Sequence, residues 1–220
     1  MPCVTVAGDI TAEVSEYAHG RVPRALRERQ VLAEAEALFA ELGYGATSMD
    51  ELARRVGVSK PVIYALIGSK EELYRRCVER QAQQLVACIT AAAGSATDPA
   101  EQLRAGSLAF FDFVSEHRRL WEALDSEAGP FAAEAADIRR RQDHLVAMLL
   151  AAAAERLGVT PPALRVSAAA HAVNGANEAL ARWWRDHDDL PPEQLTAWSV
   201  ELLLPGLEQL LDGSRVPQRS

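Results

Sequence analysis

TSMDELARRVGVSKPVIYALIGSKEEL, residues 47–73, is the stretch on which the fold turns. Ser48 followed by Glu51 is a capping-box pattern, in which the Ser hydroxyl takes the amide three residues on and the Glu carboxylate reaches back to the Ser amide, so a helix is expected from Met49. Leu52, Ala53 and Val56 then share one face at helical spacing. Gly57 stands where the chain must leave that helix with positive φ. Val58 is the apolar residue of the turn. Ser59 is placed to cap a second helix, and Pro61 is tolerated because a first-turn amide has no intrahelical partner. Ile63 and Ile67 face inward at i and i+4. Gly68 ends this short helix, and Ser69 with Glu72 repeats the capping box and launches a third, much longer one.

Helix, three-residue turn, helix is a geometry that offers its second helix to the DNA major groove, although a short buried hairpin has the same pattern. The polar side of the second helix favours the groove. It carries Ser59, Lys60 and Tyr64 with no carboxylate, and Lys60 and Lys70 are the only lysines in the chain. Upstream, Val31, Ala35, Leu38 and Leu42 form the inward stripe of a supporting helix, with Phe39 beside it and Gly43 as its stop.

Taken together, Phe39, Gly43-Tyr44, Ala46-Thr47-Ser48, Leu52-Ala53, Gly57-Val58-Ser59, Tyr64 and Gly68-Ser69-Lys70-Glu71-Glu72-Leu73 resemble the DNA-binding domain of TetR-family transcriptional regulators over roughly residues 24–75. The resemblance implies that Lys60, Pro61, Val62 and Tyr64 face bases, with Ser59 at the front of the same helix. A Lys there donates to guanine O6 or N7, and the apolar groups touch thymine methyls. It also implies that Thr47, Ser48, Tyr64 and Lys70 hold phosphates, Lys70 at a helix N-terminus that itself favours anions. For Tyr64 the competing reading is a packing residue beneath the hairpin. Leu66 and Ile67 depart from the family, which usually has an aromatic or His two residues after the Tyr and a Phe next; Leu66 cannot bind phosphate. Arg21, Arg24, Arg27 and Arg29 precede the supporting helix, either as backbone contacts or as a solvated helix end.

Length and composition fit this picture. The 220 residues are 49% hydrophobic and only 6% aromatic, with Ala and Leu well ahead of Val and Ile, which favours helix over sheet. No apolar run approaches the roughly 20 residues that span a bilayer, and the acidic start is unlike a signal peptide, so a cytoplasmic protein without membrane partners is expected. The net charge of -8 divides unevenly: -3 over residues 1–20, +2 over 21–80 and -7 over 81–220. An acidic body behind a weakly basic head orients the approach to phosphate, and the small head charge predicts modest non-specific affinity. Cys3, Cys77 and Cys88 read as small buried residues rather than a disulfide framework, because Cys77 and Cys88 would stand about 16 Å apart along one helix. No metal-ligand spacing and no cofactor motif is present.

In chain order, residues 1–20 read as an acidic flexible extension, 21–75 as the helix-turn-helix domain, 76–212 as a helical domain for ligand binding and dimerisation, and 213–220 as a tail. The helix from Ser69 is expected to run to about Ala93 and to link the two domains. Asp98-Pro99 starts the next, which Leu103, Leu108, Phe110, Phe111, Phe113 and Val114 make apolar over more than one face. A short helix is expected around Leu120 to Glu127. Phe131 to Leu157 follows, with Arg139, Arg140 and Arg141 as solvated surface; then Pro161-Pro162 to about Asp188, and Pro191-Pro192 to Leu211. About nine helices in all give an all-α fold.

The last two helices carry more apolar surface than one neighbour covers, and in the family they pair with their copies as a four-helix bundle, so a homodimer is expected, with intramolecular burial as the alternative. His171, Asn174 and Asn177 recur every three residues on an apolar helix. Projecting together toward Phe110, Phe113, Trp121 and Met148, they would form a small-molecule pocket; otherwise the Asn pair satisfies backbone or crosses the dimer face. The function this reading reaches is transcription regulation on a pseudo-palindromic operator in double-stranded DNA, as a repressor released by a largely apolar effector. The alternative is a helical ligand-binding protein or enzyme whose hairpin is only structural, against which no nucleophile elbow, metal triad or phosphate loop is present.

Overall fold

A computed structural model describes residues 7–17, 21–118, 132–187 and 189–211. Among these residues every regular element is a helix: α1 (Ala7–Ser15), α2 (Arg24–Ala46), α3 (Met49–Val56), α4 (Lys60–Ile67), α5 (Lys70–Gly94), α6 (Pro99–Glu116), α7 (Ala132–Arg156), α8 (Ala163–Trp184) and α9 (Pro192–Leu211). The short helix expected near residues 120–127 lies outside the described residues. Two compact units emerge, one of residues through Ala82 with His117–Glu134, the other of Gln83–Glu116 with Ala135 onward.

The first unit runs seven residues past the expected boundary at residue 75. The reason lies in α5, where Leu73, Tyr74, Cys77 and Val78 are all buried. Tyr74 meets Phe39 edge-on at 5.0 Å and Tyr44 at 4.9 Å between ring centroids, so the base of α5 completes the core that Val31, Ala35 and Leu38 of α2 begin. Leu42 is exposed, against expectation. Gly43, at φ 75°, leaves helical geometry just after it, and the face that would carry Leu42 inward ends there.

Residues 1–20 are not simply an extension. Helix α1 forms, Ile10 is 2% exposed, and Glu13 accepts from Arg29 of α2 at 2.9 Å. One apolar residue and one ion pair are a weak periodic signal in sequence, and the docking is visible only with α2 in place.

In the second unit, α6 packs on α8 and α9. Phe111 is fully buried and meets Trp184 of α8 edge-on, and the Trp184 Nε1–H donates to the Leu190 carbonyl at 2.9 Å, so the indole is both packed and satisfied. Asp98 caps α6 as expected, accepting from the Glu101 amide at 3.0 Å. Cys77 is a buried free thiol whose pKa burial pushes up. Cys88 is buried as well, as expected. No helix is long and apolar enough to cross a membrane among the described residues.

Candidate nucleic-acid interface and ligand cavity

The turn between α3 and α4 is closed by backbone alone. Gly57 takes φ 76° and ψ 35°. Its amide donates to Arg54 O at 3.3 Å and the Val58 amide to Ala53 O at 3.0 Å, the paired bonds of a Schellman motif. The chain then enters α4 through the Val62 amide donating to Ser59 O at 2.9 Å, and the Ser59 side chain makes no cap bond. The expected Ser59 cap is therefore absent.

The Ser69 capping box is half made, and Ser48 caps α3 two residues on rather than the expected three. Ser48 Oγ accepts from the Asp50 amide at 3.2 Å and Ser69 Oγ from the Glu72 amide at 3.1 Å. The reciprocal carboxylates are drawn elsewhere, Glu51 to Arg54 and Arg55 and Glu72 to Arg75 and Arg76. Two guanidinium hydrogen bonds hold the Glu51 carboxyl down to about 2. A charged donor outcompetes an amide for a carboxylate.

Helix α4 has one face in and one out. Ile63 and Ile67 are buried, while Pro61, Val62 and Tyr64 are exposed. Tyr64, at 44% exposure, is not packed beneath the hairpin, and that competing reading falls. Lys60 lies at the front of this face, but its Nζ donates to Asp50 Oδ2 at 2.8 Å, a bond that raises its pKa. Helix α4 itself supplies no carboxylate, as expected; the one that reaches Lys60 comes from α3. Lys70 sits 4.6 Å above the Tyr44 ring and 3.4 Å from Gly45 O at the start of α5, where Tyr44 Oη donates to Glu71 at 3.2 Å.

Thr47 does not fit its expected role. It is 3% exposed, and its hydroxyl donates to Gly43 O at 2.7 Å. Satisfying a carbonyl freed by the Gly43 break, it closes the end of α2 and does not reach out to phosphate. Ser48 beside it is exposed. Among the arginines, Arg24 is exposed and reaches Ala65 O of α4 at 3.4 Å, tying α2 to the outward helix, whereas Arg29 is turned to Glu13. Asp50 and Glu13, the partners of Lys60 and Arg29, went unmarked in the sequence, since a surface pair between separate helices leaves no periodic mark.

The second unit holds a cavity of about 270 Å³ between α5, α6, α7, α8 and α9. Phe110, Asn174 and Asn177 line it, as expected. The others of that set do not. Phe113 is buried elsewhere in the core, Met148 is exposed on a separate surface groove, and Trp121 lies outside the described residues. His171 hydrogen-bonds Asp143 Oδ2 at 3.0 Å with most of its side chain in solvent, and that bond raises its pKa. The reason is helical arithmetic. Three-residue steps fall short of a turn, so His171 and Asn177 point about 120° apart.

The polar groups at the cavity are largely committed. Asn177 donates to Ser107 Oγ at 3.3 Å and accepts from Ser199 Oγ at 2.6 Å, joining α8 to α6 and α9. Asn174 donates to Asp143 Oδ1 at 2.7 Å. Leu103, Gly106, Leu150 and Leu207 complete walls that the sequence reading did not assign to the cavity; the small pair Gly106-Ser107 in an otherwise bulky helix was the one signal that pointed there. Among the described residues no group of His, Cys, Asp and Glu could hold a metal ion.

Comparison with known proteins extends over both units. Residues 31–77 match the family described as bacterial regulatory proteins, tetR family, and residues 99–206 match the tetracyclin repressor-like C-terminal domain. Over 97 residues the chain is 45% identical to the HTH-type transcriptional activator FasR of Mycolicibacterium smegmatis, a match covering 44% of this chain and 44% of FasR; the chain thus spans less than half the length of that relative. A crystal structure of a TetR-like transcriptional regulator from Rhodococcus sp. RHA1 is 31% identical, covering 86% of this chain and 99% of its own, with a TM-score of 0.62. FadR from Bacillus subtilis, crystallised in complex with stearoyl-CoA, is similar in fold at 18% identity and a TM-score of 0.64, over 85% of this chain and 99% of FadR.

Proposed function

This chain belongs to the TetR family of bacterial regulatory proteins and is a DNA-binding transcriptional regulator, and from that premise we propose that it acts as a homodimer on a pseudo-palindromic operator and leaves it when a largely apolar small molecule fills the cavity of its second unit. The observation that carries the reading is the face of α4, where Pro61, Val62 and Tyr64 stand exposed over buried Ile63 and Ile67. Lys60 and Tyr64 would meet the groove, and Ser48 and Lys70 the flanking phosphates. Dimerisation is supported by the outer faces of α8 and α9. Leu164, Ala168, Ala172, Gly175, Ala179 and Trp183 form an exposed stripe on α8, and Trp198 and Leu202 are exposed on α9. Small residues along one helix let a second approach closely, and a self-complementary apolar face suits a twofold partner.

The cavity sets the scale of the effector. A cavity of about 150 Å³ holds one benzene, so 270 Å³ suits roughly a dozen non-hydrogen atoms. Helix α5 runs unbroken through residues of both units. A ligand that favours one tilt of α5 would change the spacing of two recognition helices, which must stand about 34 Å apart. Operator affinity then falls by the ligand's preference for that tilt and no more.

Repression is the sign proposed, with activation as the second reading because FasR is an activator. Selection of tight-binding duplexes from a random pool, followed by a reporter carrying the selected site, separates the two. Tyr64→Ala is expected to weaken binding to the selected duplex about tenfold while sedimentation still shows a dimer. Unchanged affinity would remove Tyr64 from the interface.

A further inference from the structure

Lys60 is one of two lysines in the chain, and it begins the helix turned to DNA, yet a carboxylate already holds it. Its Nζ lies 2.8 Å from Asp50 Oδ2, across the turn on α3. Both side chains are exposed, and such a pair adds little to folding. Its effect on binding is larger. A cation gains affinity for duplex DNA chiefly by neutralising phosphate and releasing a counterion, and a lysine already neutralised by Asp50 has little of that left to gain. An ammonium has three N–H donors, however, and Asp50 takes one. Two remain, and the ion pair narrows the directions in which they point.

We propose that Asp50 is a positioning residue that turns Lys60 from a diffuse charge into an aimed hydrogen-bond donor, and so sets the ratio of specific to non-specific DNA binding. The inference rests on the reading of α4 as the DNA-facing helix. The neighbouring groups agree with it. Arg54 and Arg55 on α3 share the Glu51 carboxylate and Arg55 also pairs with Glu41, so the two charges beside Asp50 are likewise balanced by two carboxylates. Lys70 instead lies against the Tyr44 ring and the Gly45 carbonyl, where its charge remains to meet phosphate. The interface thereby separates a donor for bases from a cation for the backbone, two tasks that base readout and backbone positioning require of different groups.

The test uses full-length protein carrying Asp50→Asn, Lys60→Ala and both together, with folding checked by thermal melting. The probes are a duplex selected from a random pool by the wild-type protein and an unrelated duplex of equal length. Asp50→Asn is expected to tighten binding to the unrelated duplex about five- to tenfold, to tighten the selected one less, and to steepen the slope of log affinity against log salt by about one. In the Lys60→Ala background the same change should alter neither affinity nor slope. Asp50→Ser, which also suits the first turn of a helix, is the second variant and should reproduce these shifts. A ratio unchanged by both variants overturns the proposal. A gain that persists without Lys60 also overturns it, since Asp50 would then only repel phosphate. If Lys60→Ala leaves the selected duplex bound as tightly as before, the reading of Lys60 as a DNA contact fails first, and this proposal with it.

Discussion

Glu36 shows what a single buried charge does here. Its Oε1 is buried without a hydrogen-bond partner, and Arg80 approaches only to 3.4 Å. Desolvation outweighs that attraction and the bond with Gln81, so the pKa is raised above its ordinary 4.5. Folding therefore favours the protonated form. That stabilisation is fully present below about pH 4.5 and is lost as pH rises through the raised folded value. Glu36→Gln fixes the neutral form, so it is expected to be more stable than wild type by about 1 kcal/mol at pH 7 and to lose that advantage at pH 4. Melting both proteins at the two pH values checks the sign; a lower melting temperature for the variant at pH 7 would mean that the pair with Arg80 outweighs burial. Nothing in the sequence singles out Glu36, because the cost comes from the neighbours that exclude water. Thr47 and Lys60 teach the same lesson. Their residue types pointed to DNA, but Gly43 O and Asp50 decide what each can reach.

Elements were the most legible scale. Helix α3 ends where Gly57 was expected to end it, and α9 begins at Pro192, because punctuation by glycine and proline acts within a few residues. Gly57→Ala isolates that effect. Nothing lies within 4 Å of an added Cβ, so the cost is the backbone's alone at φ 76°, about 1 kcal/mol. Chemical denaturation should show that loss, and Gly57→Asn a smaller one, since Asn tolerates the left-handed region better. Equal stability of all three would mean the turn relaxes to another conformation. The caps were less legible than the boundaries. Ser69 caps as its spacing implies and Ser48 caps one amide earlier than its spacing implies, whereas the carboxylates of Glu51 and Glu72 answer to arginines on later turns.

At the scale of the whole molecule the prediction concerns association. Leu202 is 72% exposed and Trp198 stands near it on α9, an apolar face that water disfavours unless a copy covers it. Leu202→Glu is expected to shift the protein from dimer to monomer in sedimentation, and to weaken binding to the selected duplex more than tenfold, because two half-sites are no longer held together. The wild-type melting temperature should rise with protein concentration, as it must for a folded state stabilised by self-association. A monomeric wild type would leave the α8 and α9 faces without their proposed partner.

The amino-acid sequence by itself determined an all-α chain, the place of the hairpin and the outward face of α4, since helix periodicity, capping and turn chemistry are local and repeat along the chain. Only the tertiary structure decided that α1 docks on α2, that Thr47 turns inward, that His171 misses the cavity while Leu103, Leu150 and Leu207 line it, and that Asp50 holds Lys60. Each of these depends on which side chains from separate helices come within a few ångströms of one another, and no periodicity within one helix encodes that.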